Sequence, residues 1–186
     1  MSSPLSISVE LTYVRLRGLM GYFQATSKKY GLPLALLLAV ASRESRMGLA
    51  LSADGTGDRG HGIGVMQIDK RYHPGFTRAH DPFDHQANID YGGRYLGVLL
   101  RDFGGDILQA VAAYNAGPAN VRKAVHTGLP PDVVTTGGDY ASDIQKRANL
   151  IRRWLGMPAA ASQAVYLVPA GLLLLLTYNY LTTRPR

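Results

Sequence analysis

The stretch from Gly57 to Lys70, GDRGHGIGVMQIDK, places four glycines within eight residues and brackets them with the aspartates Asp58 and Asp69. Glycine-rich loops of this kind occur where a backbone must approach a ligand closely, as in phosphate cradles and some metal loops. They also occur along the walls of clefts that bind extended substrates. The rest of the sequence has to distinguish between these three possibilities.

The loop fits neither a phosphate cradle nor a calcium loop. A Walker motif needs a lysine followed by serine or threonine, which this loop lacks, and the dinucleotide pattern fails because Gln67 stands where a third glycine is required after Gly62 and Gly64. An EF-hand that starts at Asp54 would need glycine at Arg59 and glutamate at Val65. Phosphate binding and EF-hand calcium binding are therefore not predicted.

Metal and thiol chemistry are also disfavoured by the residues present. The chain has no cysteine, which excludes disulfides, zinc knuckles and a thiol nucleophile. It has five histidines, but none of them forms the i, i+4 pair of a helical zinc site. We therefore expect no metal and no cofactor.

The composition predicts one domain with a polyanionic partner. A chain of 186 residues supports one hydrophobic core, and its net charge of +7 fits nucleic acid, an anionic membrane surface or an acidic bacterial wall. No arginine-rich run with interleaved aromatic residues is present, so nucleic acid is not expected as a partner.

Apolar spacing predicts a mostly α fold. Four predicted helices begin or end at clear signals: Leu34 to about Arg46, a helix containing Leu96 to Phe103, a helix capped by Asp106, and Pro118 to Val125. A fifth is expected from Ser142 to Leu155. Any sheet must be small and lie between Leu51 and Ile68, where Val65 and Gln67 show strand-like alternation. The expected class is thus α+β, a mostly helical domain with a small β-sheet.

The C-terminal part predicts a membrane segment in addition to the domain at 1–156. Residues 164–181 carry no charge and number 18, close to the ~20 that cross a bilayer as a helix. We predict a short linker at 157–163, a transmembrane tail anchor at 164–181 and a basic tail at 182–186. A buried C-terminal helix or a segment that docks on a partner is the alternative.

The first twenty residues lack the basic start, apolar core and cleavage site of a secretory signal. A cleavable signal peptide is therefore not expected, and a membrane-associated location is predicted.

The carboxylates suggest hydrolysis of a glycosidic bond. Glu44 follows an apolar helical run, where desolvation would raise its pKa and keep it protonated as a general acid. Asp58 and Asp69 lie near Arg59, Lys70 and Arg71, which favour the ionised form. An acid paired with an ionised carboxylate is what inverting glycosidases use.

Four segments together resemble goose-type lysozymes. They are SRES at Ser42–Ser45, GDRGHGIGVMQIDKR at Gly57–Arg71, AAYNAGPANV at Ala112–Val121 and DYASDI at Asp139–Ile144, in the family's order and with similar spacing. The resemblance covers about residues 30–155. The wider lytic transglycosylase family shares the Glu-Ser, Gly-x-Met-Gln and Ala-Tyr-Asn-Ala-Gly elements but generally lacks the two aspartates.

The resemblance implies a lysozyme fold, a helical bundle around a substrate cleft with a small β-sheet, and a muramidase activity on peptidoglycan. Glu44 would be the general acid, and Asp58 and Asp69 would position water for inverting hydrolysis of the β-1,4 bond between N-acetylmuramic acid and N-acetylglucosamine. The implied substrate-binding residues are Gln67, Tyr114, Asn115, Tyr140, His61 and Gly64. Together with the hydrophobic tail, the resemblance suggests a bacterial or phage protein acting at the cell envelope or carried with a virion membrane.

Two other functions remain open at this point. A lytic transglycosylase would use Glu44 as acid and then as base, with the muramoyl 6-hydroxyl replacing water and 1,6-anhydromuramoyl ends as products. A non-enzymatic wall-binding or membrane-lesion protein would hold glycan in an inert cleft.

Overall fold

A computed structural model describes residues 3–158 of the chain. Within them lie eight α-helices: α1 (Pro4–Leu16), α2 (Met20–Tyr30), α3 (Leu34–Ser45), α4 (Pro74–Ala79), α5 (His85–Asp102), α6 (Ile107–Ala116), α7 (Pro118–His126) and α8 (Tyr140–Trp154). Three two-residue strands complete the fold: β1 (Thr56–Gly57), β2 (Gly62–Ile63) and β3 (Ile68–Asp69). The mostly α class with a small sheet is confirmed.

Helix α3 is the centre of the core. Its sequence from Ala35 to Ser42 is buried without interruption, which is what an apolar run with no polar face requires. It packs against α8 and α2, while α5 packs on α2 and α6, and α6 packs on α7 and α8. The other helices therefore surround α3, and its C-terminal end, which carries Glu44, points towards the sheet and the cleft.

Helices α1 and α2 precede the core helix and were not anticipated from the sequence. Helix α1 begins with a capping box in which Ser3 and Ser6 exchange hydrogen bonds, with Pro4 at the first helical position. Its Glu10 is buried and accepts a hydrogen bond from the hydroxyl of Ser42. That buried polar contact fastens α1 to α3.

The sheet is a three-stranded antiparallel meander in the order β1-β2-β3. Thr56 pairs with Ile63 and Gly62 with Asp69. The strand-like alternation at Val65 and Gln67 was a wrong indication, because residues 64–67 form the turn between β2 and β3. Val65 is buried in the core there, and Gln67 takes a left-handed conformation with φ of 48°.

The predicted helices of the domain are present, with shifted ends. Helix α3 ends at Ser45, one residue before the expected Arg46, and α7 runs one residue beyond Val125. Asp106 caps α6 by accepting from the backbone of Gln109, as expected. Helix α8 begins at Tyr140, two residues earlier than the expected Ser142.

The predicted membrane segment at 164–181 and the basic tail at 182–186 lie outside the described residues, as does most of the predicted linker at 157–163. Among residues 3–158, no helix combines the length and the apolar character needed to span a bilayer. The division of the chain at 156 remains a prediction.

Candidate active site

A cleft of about 800 Å³ opens between the end of α3, the sheet and helices α5 to α7. It brings together the three carboxylates predicted from the sequence, Glu44, Asp58 and Asp69. Gln67, Tyr114 and Asn115 also line it. The cleft thus unites six of the nine candidate site residues.

Glu44 reaches the cleft because α3 ends abruptly after it. Two and three residues beyond it, Arg46 and Met47 adopt left-handed backbone conformations that cost non-glycine residues free energy. The hydroxyl of Ser45 donates to the Val65 carbonyl at 2.7 Å and accepts from the Gly48 amide at 2.8 Å. The serine of the Glu-Ser pair therefore ties the helix end to the cleft floor, beside the acid.

The Glu44 carboxyl is held in a desolvated site. Burial raises its pKa to about 7, against the lowering effect of a hydrogen bond donated by the Tyr140 hydroxyl and of the Arg43 charge. The Asp58 charge acts in the raising direction. A carboxyl with this pKa is substantially protonated at neutral pH and can donate a proton.

Arg71 connects the two aspartates on the sheet side of the cleft. Its guanidinium donates hydrogen bonds to the Asp69 carboxylate from Nη2 at 2.6 Å and from Nε at 3.0 Å. The same Nη2 lies 3.6 Å from Oδ2 of Asp58. These hydrogen bonds lower the pKa of Asp69 below its usual range. The Asp58 side chain is 66% exposed and that of Asp69 24%, so Asp58 is the more accessible to solvent.

The glycines of the loop make room for Gln67. A Cβ atom on Gly57 or Gly62 would lie only 2.3 or 2.1 Å from Oε1 of Gln67. The Gln67 amide also donates to the Gly64 carbonyl at 2.8 Å. The loop is glycine-rich at these two positions because the glutamine side chain lies across its strands.

Helix α6 supplies the opposite side of the cleft through the Ala-Tyr-Asn-Ala-Gly segment. The hydroxyl of Tyr114 donates to the Met66 carbonyl at 3.0 Å, which joins α6 to the turn between β2 and β3. Asn115 accepts from the Thr136 amide at 2.8 Å. Both side chains bind protein groups, and both also face the cleft.

The remaining three candidates, Tyr140, Gly64 and His61, do not line the cleft. Tyr140 is buried and acts on the site through Glu44. Gly64 is buried against Asn88, whose side chain would lie 2.6 Å from an added Cβ, and His61 accepts from the Lys70 amide through its carbonyl at 3.0 Å. None of the three is among the residues that line the cleft, and their substrate contacts remain predictions.

Comparisons with known proteins agree with the geometry. Residues 21–128 match the model of the family described as Transglycosylase SLT domain. The chain is 31% identical to Lysozyme g of Gallus gallus over 149 residues, which cover 73% of this chain and 66% of that protein. It is also 31% identical to Lysozyme g of Casuarius casuarius over 147 residues, covering 72% and 75% of the two chains. The chain belongs to the goose-type lysozymes.

A solved structure shares the fold of this goose-type lysozyme. An inactive mutant of the lytic transglycosylase Slt from Pseudomonas aeruginosa superposes with a TM-score of 0.61 at 24% identity. The match covers 75% of this chain and 24% of that one. At this identity the likeness concerns the fold, and it confirms the lysozyme-like architecture predicted from the four motifs.

Three contributors to the lysozyme's site were not predicted from its sequence. Asn88 is buried, and its side chain accepts from the Met66 amide at 2.8 Å and donates to the Ile63 carbonyl at 2.9 Å. His73 and Tyr95 line the cleft with ring centroids 5.0 Å apart. A buried asparagine in a helix gives no local sequence signal of a role in the site. His73 lies only four residues after Asp69, and a search that continued past Lys70 could have included it.

Arg43, the residue before Glu44, fixes α8 against α3. It donates to Asp143 at 2.9 Å and to Asp139 at 2.8 Å, two aspartates that flank the start of α8. Its guanidinium also lies 5.7 Å from the centroid of the Tyr140 ring. The motifs SRES and DYASDI are therefore partners in space, and their contact brings the Tyr140 hydroxyl to Glu44.

The described part of the lysozyme offers acid and base groups but no metal cluster. Among residues 3–158, no three histidine or carboxylate side chains converge as ligands of one ion would. The described residues place a partly protonated carboxyl at the end of α3 in one cleft with the carboxyl groups of Asp58 and Asp69, a set that can donate a proton to one group and accept a proton from another.

Proposed function

We propose that this goose-type lysozyme hydrolyses the β-1,4 bond between N-acetylmuramic acid and N-acetylglucosamine, with inversion at the anomeric carbon. Its family makes it a lysozyme-type glycosidase with peptidoglycan as substrate. The roles of the individual residues and the stereochemical outcome are our proposal. They follow from the two kinds of carboxyl environment in the cleft.

The observation that carries the proposal is the separation of the carboxyl pKa values. Burial raises the pKa of Glu44 to about 7, and hydrogen bonds from Arg71 lower the pKa of Asp69. Glu44 is therefore substantially protonated at neutral pH, while Asp69 is ionised. Carboxyls whose environments move their pKa values apart are suited to act as acid and base.

In the proposed reaction, Glu44 donates its proton to the glycosidic oxygen as the bond from that oxygen to the anomeric carbon breaks. A water molecule attacks the anomeric carbon from the opposite face, and Asp58 and Asp69 orient it and accept its proton. The products are a muramic acid with a new hydroxyl at its anomeric carbon and a free 4-hydroxyl on glucosamine. Glu44 regains a proton from solvent.

The glycan strand is proposed to lie along the floor formed by the sheet. Gly62 and Gln67 present backbone and amide groups there, and Tyr114 and Asn115 face them from α6. Backbone amides, carbonyls and side-chain amides match the hydroxyl and N-acetyl groups of both sugars. The cationic surplus of the chain favours its approach to an anionic wall.

Lytic transglycosylation is the second candidate because the matching family model carries that name. In that reaction Glu44 would act as acid and then as base, and the 6-hydroxyl of the muramoyl unit would attack in place of water. The observation that favours water as the nucleophile is the pair of aspartates joined by Arg71. Transglycosylation needs only Glu44 and has no use for a further carboxylate.

Mass spectrometry of digested peptidoglycan tests the proposal. The wild-type enzyme should release mainly reducing muramic acid ends, and predominantly 1,6-anhydro ends would instead support the transglycosylase. The Glu44→Gln variant should lose wall clearing and still sediment with wall, since amide and carboxyl are nearly equal in size. Unchanged clearing by that variant would remove Glu44 from the mechanism.

We also propose that residues 164–181 hold the enzyme at a membrane of the bacterial envelope. The support is their uncharged apolar sequence. Fractionation of cells that make the full chain, compared with a chain ending at Met157, tests this proposal. Release of the shorter chain into the soluble fraction with its activity intact is expected, and equal distribution of the two chains would contradict it. The phage origin remains a prediction.

A further inference from the structure

Tyr72 presents an exposed aromatic ring within the catalytic cleft. The residue lines the cleft and is 77% exposed. The other rings of the cleft, those of His73, Tyr95 and Tyr114, are partly buried and pack on one another. Aromatic side chains that line a concave site commonly supply the apolar contacts of a ligand. Tyr72 has no part in the proton transfers proposed above, so its exposed ring calls for another role.

The backbone of Tyr72 is fixed relative to Asp69. The Asp69 carbonyl accepts from the Tyr72 amide at 3.1 Å and from the His73 amide at 2.8 Å, which closes a turn directly after β3. A turn of this kind holds the Cα atoms of its first and fourth residues within about 7 Å of each other. Tyr72 is therefore a near neighbour of the carboxylate that we propose orients the attacking water.

The side chains on either side of Tyr72 are held by other contacts. Arg71 donates to the Asp69 carboxylate from Nε and Nη2, and its guanidinium lies 5.7 Å from the centroid of the Tyr72 ring. Nδ1 of His73 lies 3.1 Å from the Tyr91 hydroxyl. Neither neighbour can fold over the Tyr72 ring without losing these contacts, so the ring stays open to a ligand.

We propose that Tyr72 is a stacking platform for a pyranose ring of the glycan strand and thereby helps to determine the specificity of the enzyme. This inference rests on the proposed function, because it requires that the cleft binds glycan. A sugar of a β-1,4-linked strand carries its hydroxyl and N-acetyl groups around its edge and C–H bonds on its faces. Those C–H bonds match the negative face of a tyrosine ring. The polar edge of the strand is left for the amides of Gln67 and Asn115, which also line the cleft.

The charges near Tyr72 favour a sugar over the peptide stem of peptidoglycan as its partner. The stem carries carboxylates, which would need an available cation. Arg71, the cation beside the ring, already pairs with Asp69 at 2.6 Å and lies 3.6 Å from Asp58. A neutral pyranose needs no such partner.

Binding of the β-1,4-linked hexamer of N-acetylglucosamine to the full chain tests the proposal. Every chain compared carries Glu44→Gln, so that the hexamer is bound without being cleaved, and titration calorimetry gives the Kd. Adding Tyr72→Ala should raise the Kd by about fivefold to tenfold, because the stacking contact is lost. Tyr72→Phe keeps the ring face, and its Kd should stay within about twofold of the parent value.

Two further variants separate stacking from other effects. Tyr72→Leu keeps an apolar side chain but has no flat ring, so its Kd should approach that of Tyr72→Ala. Tyr22→Ala removes an exposed tyrosine of α2 that does not line the cleft. It is the matched control and should leave the Kd unchanged.

Steady-state kinetics of chains that retain Glu44 provide a second readout. A sugar stacked on Tyr72 is held equally in the ground state and in the transition state. Tyr72→Ala should therefore raise the KM for soluble glycan strands by about the same factor as the Kd, with kcat within about twofold of the wild type.

Three results would overturn the proposal. The first is an equal Kd with and without Tyr72→Ala, and the second is a Kd of Tyr72→Leu equal to that of the parent. The third is a loss of affinity for peptide-bearing glycan alone, which would mean that the ring contacts the stem. None of these results would alter the products of digestion. Predominantly 1,6-anhydro ends, in turn, would overturn the proposed hydrolysis and leave the effect of Tyr72→Ala on hexamer binding in place.

Discussion

The Tyr140 hydroxyl donates a hydrogen bond to Oε1 of Glu44, which joins the first residue of α8 to the last turn of α3. The two residues lie 96 positions apart in the chain. The hydrogen bond favours the ionised carboxylate, whereas burial favours the neutral acid, and burial is the larger effect. The pKa of about 7 results from these two opposed contributions, and several predictions rest on it.

The activity should fall as the pH rises through about 7, because Glu44 must carry a proton to act as the general acid. It should persist well into the acidic range, since the pKa of Asp69 is lowered by its hydrogen bonds to Arg71. The measurement is kcat/KM against pH on a soluble glycan substrate. If the alkaline limb lay so low that activity was already lost near pH 5, the assignment of Glu44 as the general acid would be contradicted.

Replacing Tyr140 by phenylalanine should move the alkaline limb of that profile to higher pH. The hydrogen bond that lowers the pKa of Glu44 is lost, while most of the burial that raises it remains. The pH at half-maximal kcat/KM reports the change. Tyr30→Phe is the control, because its hydroxyl binds Asp90 outside the cleft, and it should leave the limb in place. Equal profiles for Tyr140→Phe and the wild type would show that the contact does not tune the acid.

Glu44→Gln should increase the free energy of unfolding at alkaline pH. The pKa of Glu44 is raised from 4.5 to about 7 in the native state, so the wild type loses stability as the pH rises through this interval. The glutamine variant does not undergo this loss. Its free energy of unfolding at pH 8 should therefore exceed that of the wild type by roughly 2–3 kcal/mol more than at pH 4, allowing for screening by solvent in the cleft. Denaturant unfolding at pH 4 and pH 8 measures it. If the variant and the wild type differed in unfolding free energy by the same amount at both pH values, titration of Glu44 would be excluded as the cause of the difference.

Arg71→Ala should impair catalysis more than stability. Without the guanidinium, the pKa of Asp69 rises towards its ordinary value and its carboxylate loses its orientation, so kcat should fall by about tenfold to a hundredfold. The acidic limb of the pH profile should move upward at the same time. Arg78→Ala removes an exposed arginine of α4 and should change neither quantity. An unchanged acidic limb in Arg71→Ala would show that Arg71 does not hold Asp69.

Gly62→Ala should displace Gln67 from the cleft floor. The added Cβ would lie 2.1 Å from Oε1 of Gln67, so the amide must swing away from its present position. We expect the KM for glycan to rise several-fold while the unfolding free energy falls by only about 1 kcal/mol, since a flexible side chain can yield. Gly75→Ala, which meets no atom within 4 Å, is the control and should leave the KM unchanged. An unaltered KM in Gly62→Ala would remove Gln67 from substrate binding.

Much of the helical core could be predicted from local sequence. Asp106 at the start of α6 and Pro118 at the start of α7 are signals that act within one helical turn, and they mark true helix starts. The turn at Val65 was wrongly predicted to be strand-like. Alternation of apolar and polar residues indicates which side chains are buried, and a turn can bury Val65 just as a strand can. The buried Asn88 and Ser45 bind this turn from α5 and from the end of α3, so its shape depends on tertiary contacts.

The candidate catalytic carboxylates could be proposed because each lies in a motif, but their environments could be predicted only in part. The apolar run before Glu44 indicates burial, which raises its pKa as expected. The contact with Tyr140 depends on how α8 packs on α3, and Arg43 secures that packing through two aspartates far away in sequence. Local patterns carry no information about such a contact.

The anomeric configuration of the first product tests the central claim most directly. Proton NMR of a soluble glycan strand, recorded during the first minutes of digestion, distinguishes the two anomers before mutarotation mixes them. If Glu44 acts as the acid and Asp58 with Asp69 directs water to the opposite face, the α-anomer of the new muramic acid end should appear first. Appearance of the β-anomer first, or of 1,6-anhydromuramic acid without a reducing end, would contradict it.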